Sequence, residues 1–209
     1  MTQPWTVVLP VKRLTAAKTR LRGGLPGVPH EELALALAAD TLDAVLACPG
    51  VAQVLVVTDE TRMGELARHP DVRLLPDVAD AGLNAALRHG AAGIPGWVAG
   101  LTADLPALRP TELAVALATT LAGPPGVRRF VADAPGTGTV LLAAPPGVPL
   151  DPRFGPGSAA AHAASGADPL TGDWPSLRRD VDTAEDLAVA ARLGLGPRTT
   201  ALAAGCLTG

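Results

Sequence analysis

The chain has 209 residues, 48% of them hydrophobic, with 17 Lys and Arg against 20 Asp and Glu and a net charge of −3. That is enough for one domain with a sizeable core, and it excludes a disordered chain and any electrostatic reason for binding nucleic acid or an anionic membrane. Only 2% is aromatic with no Tyr, which argues against stacking platforms for single strands, and Cys48 and Cys206 stand too far apart for a disulfide framework or a zinc site, as expected in a reducing cytoplasm.

Residues 5–10 read as a first strand, β-branched and apolar, with Pro10 at its end. The next stretch carries Lys12, Arg13, Lys18 and Arg20, the densest local positive charge in the chain. A basic loop at the carboxyl end of a strand suits a polyphosphate, although it lacks the G-x-x-x-x-G-K-[ST] pattern of a P-loop. Residues 30–47 predict a strong helix: Pro29 precedes it, Glu31 and Glu32 lie in its first turn, and Pro49-Gly50 ends it. Leu33, Leu37, Leu42 and Leu46 form its core-facing stripe. A second strand is expected at 53–58, a short helix at 59–68 and a third strand at 72–75. Around Asp80, Gly82 and Asn84 the chain turns into a helix running to about Ala92, and Gly82 would let a flat ligand approach the backbone closely.

The pattern is organised around residues 98–107. Val98 to Leu101 is small and apolar, as in a strand covered on both faces, and Pro106 forbids its continuation. Asp104 therefore falls just past the carboxyl end of a strand, where open α/β sheets bind ligands, and is placed either to hold a divalent cation or to cap the helix that follows. That helix is expected at 111–121, with strands at 128–133 and 139–143 separated by a Gly-Thr-Gly loop. Residues 153–158, ending in Gly-Pro-Gly-Ser, lead into a helix at 159–165 that holds His162 and offers N–H groups and the Ser158 hydroxyl to an anion. Residues 177–183 read as a last short strand placing Asp180 and Asp182 on one side, with Thr183 capping a helix at 184–193. Residues 194–209 are expected to be a loosely ordered tail after a nucleotide-binding domain at 1–193. No apolar run approaches the ~18 residues of a membrane span.

The alternation β-α-β-α-β-α-β-α-β-β-α-β-α predicts one α/β domain with a mainly parallel sheet flanked by helices. A basic loop, carboxylates after the central strand and late in the chain, and Gly/Thr/Ser loops between them fit phosphoryl or nucleotidyl transfer, which needs charge neutralisation and positioning more than a covalent catalyst.

Residues 10–14 and 17–21, Ala81-Gly82-Leu83-Asn84, Ala103-Asp104-Leu105-Pro106, Gly136-Thr137-Gly138-Thr139, 153–158 and Asp180-Val181-Asp182-Thr183 occur in an order that resembles the guanylyltransferases of coenzyme F-420 (deazaflavin) biosynthesis. That family acts on phosphoenolpyruvate or 2-phospho-L-lactate. The resemblance implies a GT-A-like (Rossmann-like) nucleotidyltransferase fold and transfer of GMP from GTP to the small phosphorylated acid. It also implies a GTP site at Pro10, Lys12, Lys18, Arg20, Gly82 and Asn84, with Lys18, Arg20 and Asp104 as the catalytic set. Mg²⁺ would sit on Asp104 with Asp182 or Asp180, and the acceptor on Thr139, Gly155 and Ser158. The chain departs from the family at Val140, where a second Thr is expected, so that Thr137 or Thr139 must serve. A cytoplasmic monomer or homodimer is expected. Another phosphorylated acceptor, such as 3-phosphoglycerate or a sugar phosphate, or a non-catalytic nucleotide-binding module are the other readings.

Overall fold

The computed structural model describes residues 4–13, 21, 25–66, 68–77 and 82–205. The strands are β1 (Trp5–Pro10), β2 (Val51–Val57), β3 (Val72–Leu75), β4 (Trp97–Leu101), β5 (Arg129–Ala132), β6 (Thr139–Ala144) and β7 (Asp168–Pro169). The helices are α1 (His30–Leu46), α2 (Met63–Leu66), α3 (Gly82–Ala91), α4 (Pro110–Leu121), α5 (Ser158–Ala164), α6 (Pro175–Arg178), α7 (Ala184–Leu193) and α8 (Pro197–Gly205).

The strands form one sheet in the order β3-β2-β1-β4-β6-β5-β7. β1, β2, β3 and β4 are mutually parallel; β6 runs antiparallel to both β4 and β5, and β7 is parallel to β5. The chain winds outward from β1 to β3, then returns to place β4 on the other side of β1. That reversal opens a crevice at the carboxyl ends of β1 and β4. The β1–β4 register ends at Val8 opposite Gly100, so Pro10 and Asp104 both lie beyond it.

Period-2 alternation sorts the sheet residues onto two faces. Val7, Leu9, Val54, Val56, Ala99 and Leu101 pack with Leu42 of α1 and Leu113 and Leu117 of α4. Val8, Leu55, Val57 and Val98 pack on the opposite face with Ala86 and Leu87 of α3 and Ala159 of α5. Each fully buried Leu in these layers contributes about 1.5–3 kcal/mol. Gly90 sets how closely α3 can lie on the sheet: a Cβ there would sit 2.4 Å from Val8 Cγ1. A third, smaller cluster joins Leu21, Leu33, Leu37, Ala107, Val181, Leu187 and Ala190 beneath the turn that carries Asp104.

Two expectations are corrected. Residues 177–183 are not a strand: α6 occupies their start, and Arg178 there donates to the carbonyls of Ala132, Leu170 and Gly172, which wraps the segment around the end of β5. The stretch after Leu193 is not loose up to Gly205. It forms α8, whose first N–H groups, those of Arg198 and Thr199, donate to the buried carboxylate of Asp40 on α1 at 3.0 and 2.8 Å. The last four residues lie outside the described set. Among the described residues, no helix is long and apolar enough to cross a membrane.

Candidate active site

The turn after β4 is held from every side. Thr102 donates its N–H to Val140 O at 3.0 Å, tying the turn to the start of β6. Leu105 N–H donates to Thr41 Oγ1 at 2.9 Å, and that buried hydroxyl in turn donates to Leu37 O at 2.8 Å. Asp104 O accepts from Val181 N–H at 3.0 Å, and Pro106 O accepts from Gly196 N–H at 2.7 Å. Arg109 N–H donates to Ser176 Oγ, which completes the entry to α4. Five remote segments thus fix one short turn, and the half-buried Asp104 is carried on it at the carboxyl edge of the sheet.

The Asp104–Val181 hydrogen bond puts Asp180 and Asp182 on either side of the residue that touches the turn. Asp180 is half-buried and Asp182 exposed. The same-side argument based on strand alternation does not apply to them, because the segment is not a strand. Among the described residues no three His, Cys, Asp or Glu side chains converge as a metal group.

On the neighbouring strand, β6 is antiparallel, so its first residue, Thr139, comes to the same edge. The Gly-Thr-Gly loop before it is shaped by Asp133, whose carboxylate accepts from Thr137 N–H at 2.9 Å and Gly138 N–H at 2.8 Å. Val140, at the position where the resemblance expects a hydroxyl, is fully buried in the core, and the hydroxyl of this pair belongs to Thr139. Thr139 Oγ1 lies 2.9 Å from Nδ1 of His162, a fully buried residue of α5. The other ring nitrogen, Nε2, accepts from Arg153 N–H at 2.9 Å. Burial pushes the His162 pKa down to about 4, with the guanidiniums of Arg128 and Arg153 acting the same way and the Asp151 carboxylate opposing them. Phe154 and Phe130 flank the ring, at 5.2 and 5.8 Å between centroids.

The segment from Arg153 to Ser158 is pinned at a second peptide. Asn84 Oδ1 accepts from Phe154 N–H at 2.8 Å and Asn84 Nδ2 donates to Phe154 O at 2.9 Å. The resemblance places Asn84 at the nucleoside; in the structure its amide is engaged by Phe154, in the loop that the resemblance gives to the acceptor. Gly155 follows with φ 136°, and its carbonyl accepts from the N–H of Ser158, the buried first residue of α5. Thr139 and the start of the Arg153–Ser158 loop thus meet at one histidine that the motif reading left without a role. The spacing that exposes it is only visible in three dimensions.

At the nucleotide side, Pro10 is the buried end of β1 and Lys12 is exposed just beyond it. Arg13 pairs with Asp59 at 3.6 Å, an exposed contact of little energetic weight. Lys18 and Arg20 lie outside the described residues. Gly82 opens α3 at φ 80°, a left-handed conformation that a side chain would strain, and among the described residues nothing lies within 4 Å of where its Cβ would be.

An open α/β sheet of this order, with its polar residues gathered at the β1/β4/β6 edge, is the fold of the nucleotidyltransferases. A nucleotidyl transferase from Methanothermobacter superposes with a TM-score of 0.59 at 19% identity, over 92% of this chain and 98% of its own. The 4-diphosphocytidyl-2C-methyl-D-erythritol synthase of Anaerococcus prevotii superposes at 0.56 and 9%, over 91% and 96%. In sequence, a phosphoenolpyruvate guanylyltransferase of Salinispora arenicola is 70% identical over 97% of this chain and 94% of its own. Those of Geodermatophilus obscurus and Streptomyces coelicolor are 54% and 50% identical, each over 96% of this chain and 94% and 96% of their own. The chain belongs to the phosphoenolpyruvate guanylyltransferase family. No family model matches it.

Proposed function

We propose that the protein transfers the guanylyl group of GTP to phosphoenolpyruvate and releases pyrophosphate, acting with Mg²⁺ in the cytoplasm as a step of deazaflavin coenzyme biosynthesis. The observation that carries this reading is the 70% identity, over nearly the full length of both chains, to a phosphoenolpyruvate guanylyltransferase. A phosphate oxygen of the acceptor attacks the α-phosphorus of GTP in line. One P–O bond forms, the bond to the β-phosphate breaks, and its electron pair leaves on pyrophosphate. The acceptor phosphate is already largely ionised near neutrality, with a second pKa of about 6, so the step needs no strong general base.

Lys12 at the end of β1, with Lys18 and Arg20, neutralises the triphosphate and the departing pyrophosphate. The open space over Gly82 suits a flat base. Thr139, Gly155 and Ser158 hold the acceptor on the other side of the crevice. Asp104 with Asp180 or Asp182 would offer hard carboxylate oxygens to Mg²⁺, an ion usually held by one or two carboxylates together with substrate phosphates. There it would supply charge neutralisation and orientation to the triphosphate.

The test crosses the four nucleoside triphosphates with phosphoenolpyruvate, 2-phospho-L-lactate and 3-phosphoglycerate and measures pyrophosphate release. Release with GTP and phosphoenolpyruvate is expected. Preference for another nucleotide or for 3-phosphoglycerate overturns the assignment. Nucleotide binding without release in any pair identifies a non-catalytic module instead.

A further inference from the structure

His162 sits behind the residues assigned above to the acceptor, and both of its ring nitrogens are committed. A backbone N–H can only donate, so the 2.9 Å contact from Arg153 N–H requires a lone pair on Nε2. The proton of the neutral ring is then on Nδ1, which faces Thr139 Oγ1 at 2.9 Å. The hydroxyl must accept there. Its own proton has to point elsewhere, and Thr139 stands at the carboxyl edge of the sheet, beside the loop that ends in Ser158. A free threonine hydroxyl can turn its proton to any neighbour; this one cannot give it to the ring, so the proton is kept for another partner, beside one remaining lone pair. The hydrogen bond from Arg153 N–H and the pair of hydrogen bonds between Asn84 and Phe154 fix three successive peptides of the same loop from two different helices, α5 and α3.

We infer that His162 is a positioning residue for the acceptor: its fixed Nδ1–H form keeps the Thr139 hydroxyl proton off the ring and holds the Arg153–Ser158 loop, so that Thr139 has a donor to offer an anionic oxygen, of phosphate or carboxylate. The inference rests on the acceptor side of the proposed function. An ionised acid can only accept, so it needs that donor; in the other tautomer Thr139 would give its proton to Nδ1 and meet the acid with lone pairs alone. The histidine touches no substrate in this scheme; it acts through Thr139 and through the loop.

Two measurements test it. Long-range ¹⁵N–¹H correlation spectra of histidine-labelled protein at pH 7 read the tautomer, with the signal assigned by its disappearance in His162→Gln. A neutral ring protonated at Nδ1 is expected. Protonation at Nε2, or a charged ring, overturns the inference whatever the enzyme does.

Kinetics and direct binding then read the role. Thr139→Val, which keeps the shape and removes the hydroxyl, should raise the KM for phosphoenolpyruvate about ten- to a hundred-fold, the loss of one hydrogen bond to a charged group. The KM for GTP should stay within about twofold, and Thr139→Ser should restore most of the loss. His162→Gln keeps an oxygen near the Nε2 position for Arg153 N–H but no longer forces the direction of the Thr139 hydroxyl. It should give a smaller rise, again confined to the acceptor. An unchanged acceptor KM in Thr139→Val, or a rise shared equally with GTP, overturns the role while leaving the guanylyltransferase reading intact. If the wild-type protein releases no pyrophosphate with any acceptor, that reading fails by itself. Equilibrium binding of phosphoenolpyruvate to the wild type and to Thr139→Val then decides the inference separately: it stands on tighter binding by the wild type and falls on equal or absent binding.

Discussion

Replacing Thr41 by Val isolates the contact that holds the central carboxylate turn to α1. Thr41 is fully buried, and its hydroxyl accepts from Leu105 N–H at 2.9 Å while donating to Leu37 O at 2.8 Å. Valine matches threonine in shape, so no cavity opens. Leu37 O keeps its bonding within α1, whereas Leu105 N–H, itself on a fully buried residue, loses its acceptor. An unsatisfied buried donor costs about 1–3 kcal/mol. For a chain of this size each kcal/mol moves Tm by roughly 2–4 °C, so calorimetry should show a fall of about 2–12 °C. Asp104 is the residue before Leu105, and its carbonyl remains tied to Val181. The turn can then pivot about that remaining bond, and a misplacement of ~1 Å at a reacting centre costs on the order of a hundredfold in rate. Pyrophosphate release with GTP and phosphoenolpyruvate should therefore fall by roughly ten- to a hundred-fold in kcat/KM. Thr41→Ser retains the hydroxyl and should keep most of both activity and stability. Wild-type melting and turnover in Thr41→Val, or losses in Thr41→Ser as large as in Thr41→Val, would refute the reasoning.

Asp104→Asn should remove nearly all turnover with little change in Tm, since the backbone bonds of the turn are untouched; turnover close to wild type would displace Asp104 from the centre of the site. Lys18→Ala and Arg20→Ala should each weaken GTP use through lost charge-assisted contacts of about 1.5–3 kcal/mol, and unchanged GTP kinetics in both would mark them as solvated charges. Asp40→Ala removes the cap that holds the start of α8 and should cost about 1–2 kcal/mol, read as lost amide-exchange protection in residues 197–205; full protection would mean that the cap is not what docks the helix. His162 gives stability a pH dependence of defined sign. Its folded pKa, held at about 4 by burial and by Arg128 and Arg153 against the opposing Asp151 carboxylate, lies below the ~6.5 of the unfolded chain. The unfolded state takes up the proton first, so this contribution is full above about pH 6.5 and is lost as the pH falls toward 4, by up to about 3 kcal/mol. Urea unfolding of His162→Gln should lack that part of the slope, and parallel curves for the two proteins would contradict it.

The elements that sequence alone placed are those whose signals are local. The β-branched run at Trp5–Pro10, the Pro29 and Pro49-Gly50 brackets around α1, and Thr183 capping α7 all stand where expected. At α7 the capping box is complete, with Thr183 and Asp186 bonding each other's ends of the turn. What escaped was set by distant partners. The cap of α8 is Asp40, from the first helix, and no signal next to Pro197 announces it. Residues 177–183 carry apolar and charged residues in a strand-like order, yet Arg178 spends its guanidinium on three carbonyls of two other segments, and the N–H groups of Ser176 and Leu177 donate to Glu112. Of the residues in the ordered motifs, Asp104 and Thr139 lie at the carboxyl edge of the sheet, with Ser158 opening α5. The motifs could not tell that Asn84 would be engaged by Phe154, seventy positions further on, or that His162 would join Thr139 to the Arg153 peptide.

The bonds from Val181 and Gly196 to the turn after β4 have a consequence for a chain still being made. A ribosome adds roughly 5–20 residues each second, so several seconds separate the emergence of Asp104 from that of Gly196, and the exit tunnel lengthens the wait. During that interval β1, β2, β3 and β4 can already pair, and Thr41 can already hold Leu105, but the carbonyls of Asp104 and Pro106 have not met their partners. The edge that carries Asp104 is thus finished late, although Asp104 lies near the middle of the chain. A nascent or prematurely terminated product can acquire much of the sheet without acquiring the geometry that would let it consume GTP.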